Sequence, residues 1–137
     1  MRSFRKQFIT YVSQPETVAR LALATVYVWF GALKLFGVSP ASEMIEALME
    51  SMGMGGLLWV GFMGIFETVL GVMFLFPKMI RWAFWLMVTH LGMTILPLFV
   101  MGDLVWNGFL VPTFEGQYIL KNVLIFALGY WLFIKKE

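Results

Sequence analysis

The sequence predicts an all-α polytopic membrane protein, a four-transmembrane-helix bundle with a short interfacial helix in the first outer loop. Of the 137 residues, 61% are hydrophobic and 13% are charged, whereas about a quarter of the residues in soluble domains are charged. Four apolar runs are each about 20 residues long, which is the length of a helix that crosses a bilayer. Basic residues gather at one end of these runs, as is typical of membrane helices.

The apolar runs place the four spans at about residues 18–38, 57–76, 82–101 and 117–134. A chain of this length has room for about four or five spans with short connections, so residues 1–137 are expected to form a single membrane domain. The third run is the cleanest, because His90 is its one titratable side chain. We expect a kink at Pro97, whose nitrogen cannot donate a helical hydrogen bond.

The distribution of charge predicts the orientation of the spans. Basic residues precede span one, separate spans two and three, and follow span four: Arg2, Arg5, Lys6, Arg20, Lys78, Arg81, Lys135 and Lys136. The other two loops carry acidic residues and no basic ones: Glu43, Glu46, Glu50, Asp103 and Glu115. By the positive-inside rule, both termini are expected in the cytoplasm and both longer loops outside it.

Both outer loops have sequence signals for local structure. In the first, Ser39 is expected to cap a short helix with Pro40 at its first position and Glu43 in its first turn. Its apolar stripe would rest on the bilayer or cap the bundle. The second, residues 102–116, is apolar around Asn107-Gly108, which favours a small hairpin. That hairpin is expected either to cover the bundle as a lid or to anchor it at the interface.

Four ionisable side chains inside the spans are the candidate functional residues, because buried charges in membranes usually face the bundle interior or a wet cavity. At 1.5 Å per residue, Glu67 and His90 both lie about 12–14 Å above the cytoplasmic ends of their helices. Lys34 and Lys121 lie about 20 Å up, and Asn122 follows Lys121. Each lysine either extends outward to the interface or turns inward toward Glu67.

Two interpretations of Glu67 and His90 stay open at this stage. Glu67 forms a structural pair with a lysine, or it exchanges protons with a lipophilic ligand and holds it, assisted by His90. In the structural alternative, His90 is neutral and bonds a carbonyl or Thr94. Lys34, Lys121 and Asn122 are the expected ligand-binding residues, and Glu67 and His90 are the expected proton-handling ones.

Composition excludes several chemistries. The chain has no cysteine, so it cannot form a disulfide, an iron–sulfur cluster, a Cys-ligated zinc site or a thiol nucleophile. Its single histidine excludes a bis-histidine haem within one chain. One His and one Glu are too few ligands for a tight metal site, so no metal is expected. A net charge of +2 with basic residues at helix ends argues against nucleic acid as a partner.

Two further expectations concern helix packing and the membrane surface. Glycines in span two, Gly61, Gly64 and Gly71, are expected to let it approach span one closely at Gly31 and Ala32. Arg20, at the cytoplasmic end of span one, is expected to anchor a lipid phosphate.

Three motifs in chain order resemble the DoxX family of small four-helix prokaryotic membrane proteins, over about residues 20–134. Span one has Arg20 and then Phe30-Gly31-Ala32-Leu33-Lys34, similar to the family's arginine followed by aromatic-Gly-x-x-Lys. Span two has Glu67-Thr68-Val69-Leu70-Gly71, and span four begins with Tyr118-Ile119-Leu120-Lys121-Asn122. His90 matches no position of the family pattern.

The resemblance implies a multi-pass protein of the prokaryotic cytoplasmic (inner) membrane. Some relatives are described as the membrane subunit of a thiosulfate:quinone oxidoreductase or as partners in oxidative-stress complexes, and others as assembly factors. We therefore expect a membrane subunit of a quinone-linked redox or oxidative-stress complex, with partner subunits or a homodimer in the bilayer. The alternatives are a non-enzymatic scaffold or assembly factor and a proton-coupled carrier that uses Glu67.

Overall fold

A computed structural model describes residues 14–136 of the chain. Four helical segments in this range are long and apolar enough to cross a membrane: Pro15–Leu35, Gly56–Leu75, Pro77–Val100 and Phe114–Ile134. These segments indicate a multi-pass membrane protein, and their bounds lie within five residues of the four predicted runs. The predicted basic arm with Arg2, Arg5 and Lys6 lies outside the described residues.

The first two spans are single helices, whereas the last two are broken. Helix α1 is Pro15–Leu35, α2 is Ser42–Ser51 and α3 is Gly56–Leu75. A 3₁₀ turn, Pro77–Met79, leads into α4 (Ile80–Ile95), which is followed by α5 (Pro97–Val100) and α6 (Gly102–Val105). Strands β1 (Trp106–Gly108) and β2 (Val111–Pro112) form an antiparallel hairpin, and then come α7 (Phe114–Leu120) and α8 (Asn122–Ile134).

The connections differ in detail from the sequence expectation. The helix is interrupted at Leu96, between α4 and α5, immediately before the position of the kink predicted at Pro97. Helix α2 begins at Ser42, two residues later than predicted, because residues 40–41 form a turn in which the Ser42 amide donates to the Ser39 carbonyl. The Ser39 hydroxyl accepts a hydrogen bond from the Ala41 amide within this turn. We call the end of the bundle that carries α2 and the hairpin the upper end, and the opposite end the lower end.

Helices α1 and α3 pack closely because glycines face each other at their crossing. A Cβ atom on Gly31 would lie 2.7 Å from the Gly64 carbonyl oxygen, and one on Gly71 would lie 2.7 Å from the Val28 nitrogen. These contacts confirm Gly31, Gly64 and Gly71 as packing residues. Gly61 was wrongly grouped with them, since a Cβ atom there would have no neighbour within 4 Å.

We expect Gly31→Ala to lower the free energy of unfolding by about 1–3 kcal/mol, because the added methyl group must push α1 away from backbone atoms of α3. Gly61→Ala is the matched control. It adds the same methyl group to open space and is expected to change stability by less than about 0.5 kcal/mol. Thermal unfolding of both variants in detergent micelles measures the difference, and equal effects would contradict the close crossing.

The lower end is held by Arg20, which is buried rather than exposed to lipid headgroups. Its guanidinium donates to the Leu75 carbonyl at 3.0 Å, at the C-terminal end of α3, and to the Thr17 hydroxyl at 3.4 Å. A cation at a helix C-terminus neutralises the carbonyls that lack a helical partner. The expectation of a phosphate anchor is therefore corrected, and Arg20 joins α1 to α3.

Candidate functional site

The centre of the site is a buried carboxylate that connects three helices. Glu67 of α3 accepts a hydrogen bond from the Lys34 ammonium of α1, with 2.6 Å between Oε2 and Nζ. Its other oxygen, Oε1, lies 2.8 Å from Nε2 of His90 in α4. The three residues are only 5–7% exposed. Buried charges at this depth need such partners, because desolvation strongly disfavours an isolated ion.

The helix crossing places Lys34 against Glu67. Lys34 comes three residues after Gly31, and Glu67 comes three residues after Gly64, so each lies one turn from the point of closest approach. Because α1 and α3 run antiparallel, the two residues lie on opposite sides of this point, and since side chains tilt toward the N-terminus of their helix, they extend toward each other across it. The sequence did not determine whether the Lys34 side chain extends outward to the interface or inward. In the structure it extends inward, to Glu67.

His90 is oriented by its neighbours as well as by Glu67. Its ring stacks on Phe66 with 5.9 Å between centroids and meets the Tyr27 ring edge at 5.4 Å. Because the Glu67 carboxylate is an acceptor, we assign the imidazole proton to Nε2, which leaves Nδ1 as an acceptor. Within residues 14–136, His90 Nδ1 and the Tyr27 hydroxyl are buried without a hydrogen-bond partner.

A cavity of about 100 Å³ adjoins this cluster. Lys34, Glu67, His90 and Tyr27 form its polar side. Helix α2 forms an apolar roof, and the fourth span closes the remaining wall. The roof residues are Ala41, Met44, Ile45, Leu48 and Met49, and the wall residues are Tyr118, Ile119, Asn122 and Ile125. Its lining combines apolar side chains with a few converging polar groups, as in small-molecule sites, but its volume admits a small head group rather than a drug-sized ligand, whose sites are about 300–1,000 Å³.

The structure brings together four of the five predicted site residues. Glu67, His90 and Lys34 are in direct contact, and Asn122 lines the same cavity. The Asn122 amide donates to the Thr94 hydroxyl at 3.1 Å. Lys121 is exposed and lies outside the cavity lining, so the structure does not join it to the other four.

The structure does not support a lid role for the hairpin or a hydrogen bond between His90 and Thr94. Thr94 donates to the Leu91 carbonyl rather than bonding His90. None of the residues from Trp106 to Pro112 lines the cavity, so α2 is the roof and the lid interpretation of the hairpin is not supported. The Trp106 indole instead donates to the Leu98 carbonyl at 3.0 Å, which fixes the hairpin to α5.

Sequence reasoning did not assign to the site the three aromatic residues that line the cavity, Tyr27, Phe30 and Tyr118. A signal for Tyr27 was present, because it lies seven residues after Arg20 and seven before Lys34. Residues at a spacing of seven share one face of a helix. That face of α1 is buried along its length. For Tyr118, the only signal in the sequence is its position three residues before Lys121 and four before Asn122.

No family model, curated protein or solved structure matches the chain. Within residues 14–136, no group of three or more His, Cys, Asp or Glu side chains is arranged to hold a metal ion. The resemblance to the DoxX family therefore stays a prediction, and the geometry of the cluster and its cavity is the basis for inferring a function.

Proposed function

We propose that this protein is a membrane subunit of a quinone-linked redox or oxidative-stress complex and binds a quinone-like lipophile in the cavity. The observation that carries the proposal is the largely apolar cavity with the Lys34–Glu67–His90 cluster along one side. We further propose that the bundle lies in the inner membrane of a prokaryote with both termini in the cytoplasm. The one-sided distribution of basic residues supports this orientation.

The residues present fit a ligand whose head group carries oxygen. The Tyr27 hydroxyl can donate to a carbonyl oxygen or accept from a hydroxyl, and its own polar atom is buried without a partner. A buried polar group gains more from a new hydrogen bond than an exposed one, because it has no water to give up. The methionine-rich roof suits a ring or an unsaturated chain, since thioethers adapt to irregular apolar shapes.

A quinone supplies the two-electron chemistry when it is bound, and its reduction takes up two protons. With Glu67 ionised and His90 Nε2 hydrogen-bonded to Glu67 Oε1, His90 Nδ1 could accept one proton and pass it to the ligand, so the uptake of two protons requires the pair to be reloaded once. The Lys34 ammonium stabilises the negative charge of the Glu67 carboxylate before and after the transfer. The chain has no cysteine, so electrons would come from a partner subunit.

The proposal is tested by native mass spectrometry combined with organic extraction of the gently purified protein. Wild type is expected to retain a quinone or a similar lipophile. Glu67→Gln is expected to retain at least about tenfold less, because a ligand contact that depends on a charged group contributes about 1.5–3 kcal/mol. Lys34→Met/Glu67→Gln is the second variant, since it removes both charges and leaves no buried ammonium unpaired. Absence of any lipophile from wild type, or equal retention in all three proteins, would overturn the proposal.

A scaffold or assembly factor is the second candidate, and a specific surface favours it. At the tip of the hairpin, Phe109 is 93% exposed and Leu110 is 73% exposed. An apolar tip of this kind is typical of a protein or membrane contact. If the scaffold function is correct, replacing residues 103–115 abolishes function while the Glu67 variants are tolerated. A proton-coupled carrier would instead show pH-dependent flux in liposomes.

A further inference from the structure

The walls of the cavity are closed to different degrees. Above it, α2 packs tightly on α3, because a Cβ atom on Gly56 would lie 2.7 Å from the Glu46 Cα. Leu48 and Met49 of the roof are buried. On another side, the hydrogen bond between Asn122 and Thr94 joins α8 to α4. Neither the roof nor the α4–α8 wall is therefore a ready opening.

The wall between α1 and α7 is different. There the lining consists of Val26 and Phe30 from α1, both half-buried, and Tyr118 from α7. Tyr118 is 39% exposed and is the most exposed side chain that lines the cavity. The Phe30 and Tyr118 rings contact each other at 6.0 Å between centroids, tilted by 52°. Within residues 14–136, this ring contact crosses the wall and no hydrogen bond does.

Aromatic side chains on a helix surface can change rotamer without unfolding the helix, and such changes are fast. Separation of Phe30 from Tyr118 would open the cavity sideways, between two spans, rather than upward through α2. In a bilayer, the surface beside two apolar spans is in contact with lipid chains. A ligand that uses this opening must therefore be dissolved in the membrane.

We infer that the ligand enters the cavity from within the bilayer, through the gap between Phe30 and Tyr118, and is an amphiphile with a small oxygen-bearing head and an apolar tail. This inference rests on the proposed function and names its ligand class. The head group reaches the Lys34–Glu67–His90 cluster, and the tail remains between α1 and α7 or in the lipid. A tail-less compound dissolved in water has no comparable route, because the α2 roof lies between the cluster and the upper surface.

The absence of cysteine from the chain makes site-directed cross-linking a clean test. We would prepare Phe30→Cys/Tyr118→Cys, reconstitute it in phosphatidylcholine vesicles, and join the two thiols with a flexible bis-maleimide. The probe is a prenylated benzoquinone, and exchange of bound probe for its deuterated form is followed by native mass spectrometry. Exchange is compared in the same double-cysteine variant before and after cross-linking, and the cross-link is expected to slow it at least about tenfold, because a closed gate limits the rate of release.

Glu46→Cys/Gly55→Cys provides the matched control, because it joins α2 to the start of α3 outside the cavity lining. Locking the roof is expected to leave exchange unchanged. Tyr118→Ala supplies a second variant that needs no cross-link, and it is expected to speed exchange by enlarging the gap. The lateral route would be overturned if the roof cross-link slowed exchange and the Phe30–Tyr118 cross-link left the exchange rate unchanged. Failure of the uncross-linked wild type to bind the probe would instead overturn the proposed function.

Discussion

Lys34→Met is expected to lower the free energy of unfolding by about 3–5 kcal/mol, the cost of removing one partner from a buried ion pair. The substitution keeps the length of the side chain but leaves the Glu67 carboxylate with His90 as its one remaining partner in the cluster. Glu67 is 5% exposed, so water cannot replace the lost ammonium. Unfolding of the purified variant by heat or by denaturing detergent measures the loss.

Lys121→Met is the matched control for this prediction. It removes the same charge at a similar expected depth, but Lys121 is exposed, so the change is expected to stay within about 0.5 kcal/mol. Lys34→Met/Glu67→Leu removes both charges and is expected to recover part of the stability, because the ion pair no longer has to be desolvated, whereas His90 Nε2 is then buried without its acceptor. Equal stability of Lys34→Met and Lys121→Met would show that the ion pair does not hold α1 to α3.

The contact between Glu67 and His90 shows what sequence reasoning can reach. Spans two and three are joined by a short connection, so they run antiparallel, and counting residues from that connection places both side chains at one level. Only the rotation of each helix about its axis was undetermined. The glycines that contact α1 now explain the rotation of α3, since Gly64 and Glu67 lie on the same face.

Lys34 and Lys121 show where sequence reasoning stops. Both lie at about the same expected depth and both have flexible stems that can reach the interface. Their different surroundings come from tertiary packing: Lys34 lies on the buried face of α1, whereas Lys121 lies at the break between α7 and α8 and is exposed. Likewise, nothing in the periodicity of residues 42–51 shows whether their apolar stripe meets lipid or roofs a cavity.

Ala41→Trp is expected to reduce retention of the lipophile at least about tenfold while leaving the fold intact, because a large side chain at a pocket wall excludes ligand by overlap. Ala41 lines the cavity from the start of α2 with only a methyl group, and it is half-buried. The added indole would therefore extend into the space that a head group needs. Extraction and native mass spectrometry of the variant measure retention, and thermal unfolding checks that the bundle is preserved.

Ala47→Trp controls for the effect of an added indole on α2. Ala47 is exposed and lies outside the cavity lining, so this variant is expected to retain the lipophile as wild type does. Comparison of these two variants with Glu67→Gln distinguishes whether the ligand lies in the cavity from whether its binding requires the Glu67 carboxylate. If Ala41→Trp binds as well as Ala47→Trp while Glu67→Gln binds poorly, the ligand lies outside the cavity and Glu67 acts by supporting the helices. If Ala41→Trp and Glu67→Gln both bind poorly while Ala47→Trp binds normally, the cavity and the carboxylate belong to one site.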